Sequence, residues 1–464
     1  MDLLGPKEKR RAQKQKPHTF STLNYRRWTH AHFSYGVAAG EETQVTAVLE
    51  LNLNLLQKCR EISSKPDQSD HWFRREVRAM ETRTEYLPEE ILTDILLRLP
   101  VKSLIRFRLV CKSWFTLLKN PNFIATHLNH SSAYNCNHLL VHTQAENHAI
   151  SLLSNKTLNV TLKIDSPRTP KEVEREVIVG SCNGLVCLSR DSEIVLWNPA
   201  TKEHKVLPTP CIGPLFFNHA LTWRSIGFGF HGKDYKVVRM VNSKNLVSGK
   251  ITPKVEVYST SSGSWRVIDA IIPCYVDQRK CSMVLKGVPY WLGFGPICPN
   301  TIFVPRREVL RDEFVLSFDM GNEVFLQVDV PGAKDYHCKY SKKLGVYNES
   351  VAIMYYPSYE KDVRFVELWV MKDHVVDECW VQVLRIGPFS TLWTPLGCWE
   401  NGVVILQNHK DELLLYDPTI GKAEAVPTNG APMFSTSIAT YMESLVPVDG
   451  GNKDLKETKF VWRG

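Results

Sequence analysis

The chain has 464 residues, of which 43% are hydrophobic and 23% charged, a composition typical of a globular protein rather than a disordered one. This length allows several domains and large cores, and no window reaches the ~18 consecutive apolar residues of a membrane span. The formal net charge is +8, but residues 1–80 contain 14 basic and 9 acidic residues. More than half of the excess therefore lies in that segment, and we expect neither a membrane nor a nucleic-acid partner.

The cellular compartment is suggested by the N-terminus and by the cysteines. Met1–Pro6 is followed by charged residues rather than by the apolar core of a signal peptide. The twelve cysteines form no Cys-x-x-Cys pair, so we interpret them as reduced thiols. These features predict a protein of the nucleus, the cytoplasm or both.

Residues 1–80 have little pattern. The basic run Lys7–Lys16 fits a nuclear address, a nucleic-acid patch or a solvated tail. Val45–Leu56 has helical apolar spacing at its start and strand-like alternation of leucines later, so its type stays open. We expect this segment to be a basic extension without fixed structure.

Residues 87–118 read as three short helices. Pro88 suits a first helical turn, and Glu89 and Glu90 suit the positive end of a helix dipole. Apolar residues then recur at three- and four-residue spacing until Pro100 stops the helix. Two further apolar runs follow, and Asn120-Pro121-Asn122 is predicted to end the last. So short a unit cannot bury so wide an apolar surface alone, which predicts a protein partner.

The order of short strings in this stretch resembles the F-box, here placed at residues 81–128. The strings are Leu87-Pro88, Ile95-Leu96, Leu99-Pro100-Val101-Lys102-Ser103-Leu104, Phe107-Arg108 and Val110-Cys111-Lys112-Ser113-Trp114. The resemblance implies docking onto the Skp-type adaptor of a cullin-RING ubiquitin ligase, the SCF complex. It also implies the adaptor-facing residues, which are Leu87, Pro88, Ile91, Ile95, Leu99, Pro100, Val101, Leu104, Val110, Cys111 and Trp114.

From residue 131 to residue 448 the pattern is that of short strands separated by turn residues, which is typical of all-β structure. The predicted strands are His138–Val141, Ala149–Leu153, Gly184–Leu188, Glu193–Trp197, Ser225–Phe230, Tyr235–Val241, Lys254–Ser259, Ser264–Ile268, Met283–Leu285, Val288–Leu292, Phe314–Asp319, Val324–Val328, Leu344–Tyr347, Val351–Tyr355, Val363–Met371, Trp380–Ile386, Gly402–Leu406, Glu412–Tyr416, Ala423–Val426 and Ser437–Tyr441.

An internal repeat lies within these strands. Gly184–Pro208 and Gly402–Pro427 share an apolar strand, a polar turn, a second strand ending in aromatic-Asn/Asp-Pro, and a short strand ending in Pro. Stacked repeats predict a β-propeller, with roughly seven blades at ~45 residues each, or six if there are insertions. A pair of β-sandwiches is the rival fold, but it does not explain the repeated corner.

A second family resemblance covers most of this region. Five short strings stand in the order found in the F-box-associated domain of plant F-box proteins. They are Cys182-Asn183-Gly184-Leu185, Trp197-Asn198-Pro199, Gly227-Phe228-Gly229, Tyr290-Trp291 and Glu443-Ser444-Leu445-Val446. The resemblance implies an α+β multidomain chain, in which a three-helix F-box precedes an all-β kelch-like propeller that recruits a substrate at residues 131–448. Residues 449–464 are then a C-terminal tail.

Candidate catalytic and cofactor sites are weak. Cys182 and Cys187 flank a turn without a second pair, so buried strand cysteines explain them better than a metal or redox site. Gly227–Gly232 matches GxGxxG but precedes a strand-like run rather than a helix. No nucleophile elbow or phosphate-binding loop occurs. We expect a non-catalytic chain without cofactor or metal, with seven tryptophans mostly in the core: Trp197, Trp265, Trp291, Trp369, Trp380, Trp393 and Trp399.

The irregular stretch Phe294–Asp312 interrupts the strand rhythm and supplies the candidate substrate contacts Arg306, Arg307 and Arg311, although a solvated loop explains them as well. Three functional hypotheses follow. The first is a substrate receptor that brings an unknown protein to the ubiquitin ligase. The second is an enzyme or a sugar-binding propeller tethered through the F-box. The third is a non-catalytic scaffold that binds the adaptor but never delivers a substrate.

Overall fold

The computed structural model describes helices and strands of both predicted regions. The described residues are 89–108, 112–133, 137–142, 150–153, 160–167, 176–190, 193–213, 220–245, 251–276, 280–296, 312–331, 340–357, 364–372, 380–389, 393–399, 402–408, 412–426 and 437–448. The chain divides into two units, residues 1–95 and residues 96–464. The boundary falls within the first described helix, and the second unit contains the other helices and every described strand.

Four helices precede the sheets in the described residues. They are α1 (Glu89–Leu97), α2 (Val101–Phe107), α3 (Lys112–Lys119) and α4 (Pro121–Ala133). The first three confirm the sequence prediction, whereas α4 was missed. Asn120 ends α3 and also begins α4, because its side-chain oxygen accepts from the Asn122 backbone N–H at 2.8 Å. None of these helices is long and apolar enough to cross a membrane.

The remaining described elements are strands grouped into six sheets. Their bounds are β1 (Asn137–His142), β2 (Ile150–Leu153), β3 (Val160–Ile164), β4 (Val177–Cys182), β5 (Leu185–Ser189), β6 (Ile194–Asn198), β7 (Glu203–Val206), β8 (Ala220–His231), β9 (Asp234–Asn245), β10 (Ile251–Ser259), β11 (Ser264–Ile268), β12 (Cys274–Tyr275), β13 (Met283–Leu285), β14 (Val288–Pro296), β15 (Glu313–Asp319), β16 (Val324–Asp329), β17 (Tyr340–Tyr347), β18 (Ser350–Pro357), β19 (Arg364–Met371), β20 (Trp380–Phe389), β21 (Trp393–Cys398), β22 (Val404–Asn408), β23 (Leu413–Asp417), β24 (Lys422–Val426) and β25 (Ser437–Met442).

Each sheet is one antiparallel blade of a propeller. From the inner to the outer strand, blade I is β25-β1-β2-β3, blade II is β4 to β7, and blade III is β8 to β11. In blade IV, β12 and β13 both pair with β14, which is followed by β15 and β16. Blade V is β17 to β20, and blade VI is β21 to β24.

The inner strands contact one another in a closed ring. The order of contact is β25, β4, β8, β13 with β14, β17, β21 and β25 again. This ring confirms a propeller and excludes the two-sandwich alternative. It has six blades, the number expected if there are insertions, rather than seven. The long connections within blade IV and around it make its share of the chain larger than average.

Blade I is built from both ends of the propeller sequence. β25 pairs with β1 along a continuous antiparallel register from Asn137↔Met442 to His142↔Ser437. The last strand therefore becomes the inner strand of the first blade, and this pairing closes the ring. The hydrophobic core lies between adjacent blades, where five clusters of buried side chains fill the interfaces.

The repeated corner predicted from the sequence has one physical role. Asn198, Asp319 and Asp417 each end the third strand of a blade, and each side-chain oxygen accepts a backbone N–H of the following turn. The Asn198 oxygen is 3.0 Å from Ala200 N, the Asp319 oxygen 2.7 Å from Gly321 N, and the Asp417 oxygen 2.8 Å from Thr419 N. The pKa of the Asp319 carboxyl is held below its usual value chiefly by the Asn322 backbone N–H, and that of the Asp417 carboxyl chiefly by the Thr419 hydroxyl. The corners therefore organise turns rather than acid–base chemistry.

Candidate functional site

The F-box helices offer a partly exposed apolar surface. Ile95 and Leu99 are half-buried, Pro100 is exposed and begins α2, and Trp114 is half-buried in α3. These four predicted contact residues are accessible to a partner. The ring of Trp114 packs edge-on against Phe107, with ring centroids 5.3 Å apart, so this aromatic surface is held in place before any partner arrives.

Two of the predicted adaptor contacts lie inside the chain instead. Val101 is 1% exposed and Leu104 is 0% exposed, together with Leu118 at 0%. Their side chains hold the helices together and offer no surface in this structure. Leu87, Pro88, Val110 and Cys111 lie outside the described residues, as does the side chain of Ile91. An adaptor contact at any of these positions stays a prediction.

Phe115 is an accessible apolar residue that the sequence analysis did not select. It is 42% exposed on α3, and the Lys119 amine lies 4.3 Å from its ring centroid. The apolar spacing of α3 is set by Trp114, Leu117 and Leu118. Phe115 directly follows Trp114 and falls outside this spacing, so the pattern did not select it. An exposed aromatic ring next to a half-buried tryptophan is the composition expected at the centre of a binding surface.

The turn at Leu99 is fixed by α4. His127 of α4 is 2% exposed, and its Nε2 lies 3.0 Å from the Leu99 carbonyl oxygen. Burial lowers the pKa of His127, although its bond to the Leu99 carbonyl opposes the shift. The ring is therefore neutral at pH 7, and the proton must be on Nε2 because a carbonyl can only accept. The Arg108 guanidinium also donates to the Leu118 carbonyl at 3.4 Å, which ties α3 to the end of α2.

The same helix joins the F-box to the propeller. Ile124 and Leu128 of α4 pack against the largest core cluster, which contains Val446 and Val448 of the segment that follows β25. Ser132 Oγ lies 3.5 Å from Met442 Sδ. A partner bound to α2 and α3 is thus connected to the propeller through packed side chains rather than through a flexible linker.

The segment Glu443–Val448 is in turn held by blade II. The Asn198 side-chain amide donates to the carbonyl oxygens of Ser444 at 3.1 Å and Val446 at 2.8 Å. The Ser444 hydroxyl donates to the Asn183 carbonyl at 2.6 Å. Asn183 and Gly184 form the tight turn between β4 and β5 with φ values of 51° and 82°, a conformation that Asn-Gly adopts readily.

The propeller residues considered for chemistry behave as core residues. Cys182 and Cys187 are buried free thiols whose pKa values burial raises, and no group of residues in the described ranges could hold a metal ion. Trp197, Trp265, Trp291 and Trp399 are between 0% and 8% exposed, which confirms their core role. Arg306, Arg307 and Arg311 belong to the connection between β14 and β15 and lie outside the described residues.

Comparison with known proteins agrees with this architecture. A family model described as an F-box domain matches residues 85–126, and one described as an F-box associated beta propeller domain matches residues 139–448. F-box protein CPR1 of Arabidopsis thaliana is 25% identical over 398 residues, covering 81% of this chain and 91% of that protein.

Two further relatives from Arabidopsis thaliana are also F-box proteins by name. An F-box protein is 27% identical over 396 residues, covering 75% of this chain and 89% of its own length. An F-box/kelch-repeat protein is 28% identical over 350 residues, covering 72% of this chain and 89% of its own length. The propeller match alone spans well over half of the sequence, and the chain therefore belongs to the plant F-box proteins that carry an F-box-associated β-propeller.

Proposed function

We propose that this protein is the substrate receptor of an SCF ubiquitin ligase, which binds a Skp-type adaptor through α1 to α3 and a protein substrate through the propeller. The observation that carries the proposal is the packing of α4 against the core cluster of the propeller that contains Val446 and Val448. A receptor acts by holding a target lysine close to the ubiquitin thioester, which raises its effective concentration. A fixed connection between the two binding parts serves that task better than a flexible one.

The chain itself needs no catalytic group for this function, because the transfer chemistry belongs to other subunits. The buried free thiols at Cys182, Cys187, Cys274 and Cys281 suit a reducing compartment. We propose that the protein acts in the nucleus, the cytoplasm or both, with a cullin-RING ligase as its assembly and an unidentified protein as its substrate.

Adaptor binding is tested with one charged substitution. Leu99→Asp places a carboxylate on the half-buried turn before α2, where an adaptor would have to desolvate it. We expect the Kd for a purified Skp-type adaptor to rise roughly thirtyfold or more, the size of a hot-spot loss. The bond from His127 uses the Leu99 backbone carbonyl, so the turn itself is retained.

The control is the same substitution on the propeller. Leu326→Asp changes a leucine that is 55% exposed on β16 and should leave adaptor binding unchanged. Both variants are compared with the wild type by calorimetry and circular dichroism. Normal binding by folded Leu99→Asp would refute the assigned face. Absence of binding by the wild type would contradict the proposal.

A further inference from the structure

The outer strand of blade IV differs from the other outer strands in where its charge stands. The segment of β16 from Val324 to Val328 contains no charged residue, and the charge of the strand is at its end, on Asp329. The other outer strands each contain a charged residue between their ends, namely Lys163 in β3, Lys205 in β7, Arg266 in β11, Arg385 in β20 and Glu424 in β24. Such charges discourage a second chain from pairing with the edge of a sheet. The edge of β16 lacks this protection.

One face of β16 leaves the core along the strand. Val330, just after the strand, is 3% exposed, and Val328 is half-buried against the same cluster between blades IV and V. Leu326 and Val324 lie on the same face, because side chains alternate along a strand, and they are 55% and 44% exposed. The apolar face that packs against blade V therefore continues into solvent.

The outer edge of β16 presents unpaired backbone groups. The Val330 N–H donates to the first carbonyl of β15 at 3.2 Å, so the even-numbered residues of β16 bond to β15 and the odd-numbered residues point away from it. The carbonyl of Asp329 points away and accepts from Trp380 Nε1 at 2.8 Å. The N–H and carbonyl groups of Phe325 and Gln327 point the same way and have no strand beside them.

The two ends of this edge differ in charge. Before the strand, the Glu323 carboxylate is already compensated, because it lies 2.9 Å from Lys236 Nζ and also pairs with Arg266. After the free edge, the Asp329 side chain is exposed, and no cation of the described ranges lies within salt-bridge distance of it. A segment that bound along β16 would therefore gain from a basic side chain near Asp329 and not from one near Glu323.

We propose that the outer edge of β16 binds an extended, basic segment of a protein substrate as an additional strand of blade IV. Its backbone would pair with Phe325 and Gln327, an apolar side chain would cover Leu326, and a lysine or arginine would face Asp329. Strand addition of this kind obtains affinity from backbone bonds and selectivity from alternate side chains. The inference rests on the proposed function where it calls the segment a substrate.

A second copy of the chain fits the edge less well than a peptide segment. Leu326 and Val324 are the exposed apolar residues of this strip, and two side chains cover little of the roughly 1,200 Å² that stable association of two folded proteins buries. Two copies would also bring no basic residue of β16 to Asp329, because the strand contains none. The charge and the small area both favour a basic peptide.

The test begins with a random heptapeptide library displayed on phage and selected on the immobilised full chain. We expect the enriched peptides to have apolar residues at alternate positions together with lysine or arginine. Fluorescence anisotropy of a synthetic copy of one enriched peptide then gives its Kd. Asp329→Asn should raise this Kd by about threefold, the size of an exposed charge pair, and should reduce its dependence on salt.

Gln327→Pro separates backbone pairing from side-chain contact. Proline removes the outward N–H of residue 327, and it is tolerated on an edge strand where that group faces solvent. The bonds between β16 and β15 use the even-numbered residues, so circular dichroism of this variant should match the wild type. We expect its Kd for the peptide to rise about tenfold or more, from one lost hydrogen bond and the bulk of the ring. Gln327→Thr is the matched control, because it changes the same side chain, keeps the N–H and should bind within about twofold of the wild type.

N-methylation of the peptide tests the same bonds if Gln327→Pro fails to fold. Methylation of alternate peptide amides should abolish binding, while methylation of the amides between them should not, because only every second amide faces β16. Adaptor binding measured on the same preparations separates this result from a failure of the proposed function. Absence of enriched peptides, or equal binding by the wild type and folded Gln327→Pro, would overturn the proposal. A wild-type dimer that Gln327→Pro dissociates would assign the edge to a second copy and would overturn it as well.

Discussion

Asn198 differs in one respect from the other corner residues of the propeller. Its side-chain oxygen accepts from Ala200 N, as the Asp417 oxygen accepts from Thr419 N, but its amide nitrogen also donates to the Ser444 and Val446 carbonyls. An aspartate could organise the turn but could not donate. The residue is 0% exposed, so a carboxylate there would face two carbonyl oxygens without water.

Asn198→Asp is therefore expected to destabilise the protein. The change removes two donors and buries a charge, and we expect the free energy of unfolding to fall by about 3–5 kcal/mol. Chemical denaturation followed by tryptophan fluorescence measures the loss. The reverse change at the equivalent, partly exposed corner, Asp417→Asn, should leave the unfolding midpoint close to that of the wild type. Equal midpoints for the two variants would show that the amide donors do not matter.

Among the elements, the segment Glu443–Val448 has no regular secondary structure and yet joins three parts of the molecule. It continues from β25, receives the Asn198 amide of blade II, and contributes Val446 and Val448 to the cluster against which Ile124 and Leu128 of α4 pack. These two valines are 7% and 5% exposed. The attachment of the helices to the propeller thus depends on apolar burial in this segment.

The double variant Val446→Ala/Val448→Ala tests that dependence. Loss of buried methyl groups should lower the free energy of unfolding by about 1–3 kcal/mol, and limited proteolysis should release the helices from the propeller sooner. Val267→Ala removes the two Cγ methyl groups of a single valine that is 54% exposed on β11 and should change neither measurement. Unchanged proteolysis of the double variant would mean that α4 is held by other contacts.

Helices and strands with a regular spacing of apolar residues were predictable from the sequence. Elements whose spacing is interrupted were not. β4 and β21 were missed because their registers shift between Ile178 and Gly180 and between Pro395 and Gly397, which breaks the alternation that marks a strand. β3 and β12 were also missed, β12 being only two residues long. α4 was missed because Pro121 reads as a helix stop, although proline also suits a first helical turn.

The sequence identified the F-box helices as the candidate site, but it did not show which of their apolar residues are exposed. Val101 and Leu104 are as apolar as Leu99, and a sequence does not show which side of a short helix turns inward. That choice depends on α4, whose His127 and Phe123 cover the helices from residues not recognised as helical.

At the scale of the whole molecule, closure of the ring is what makes the six blades one structure. Blade I combines β1 to β3 with β25, so its two parts are separated by the whole propeller sequence. Every other blade is continuous in sequence. The pairing of β25 with β1 is therefore the step that ties the last blade to the first, and the segment after β25 ties the same end to α4.

A chain that ends at residue 436 lacks both connections and tests this account. Compared with a chain ending at Val448, we expect its unfolding midpoint to fall by about 10 °C or more, because β1 loses its inner partner along six register positions. A synthetic peptide of residues 437–448, added in excess, should restore the midpoint by occupying the inner position of blade I. A scrambled peptide of the same composition should not. Equal midpoints for the two chains would show that the remaining five blades and β1 to β3 hold the ring without its closing strand.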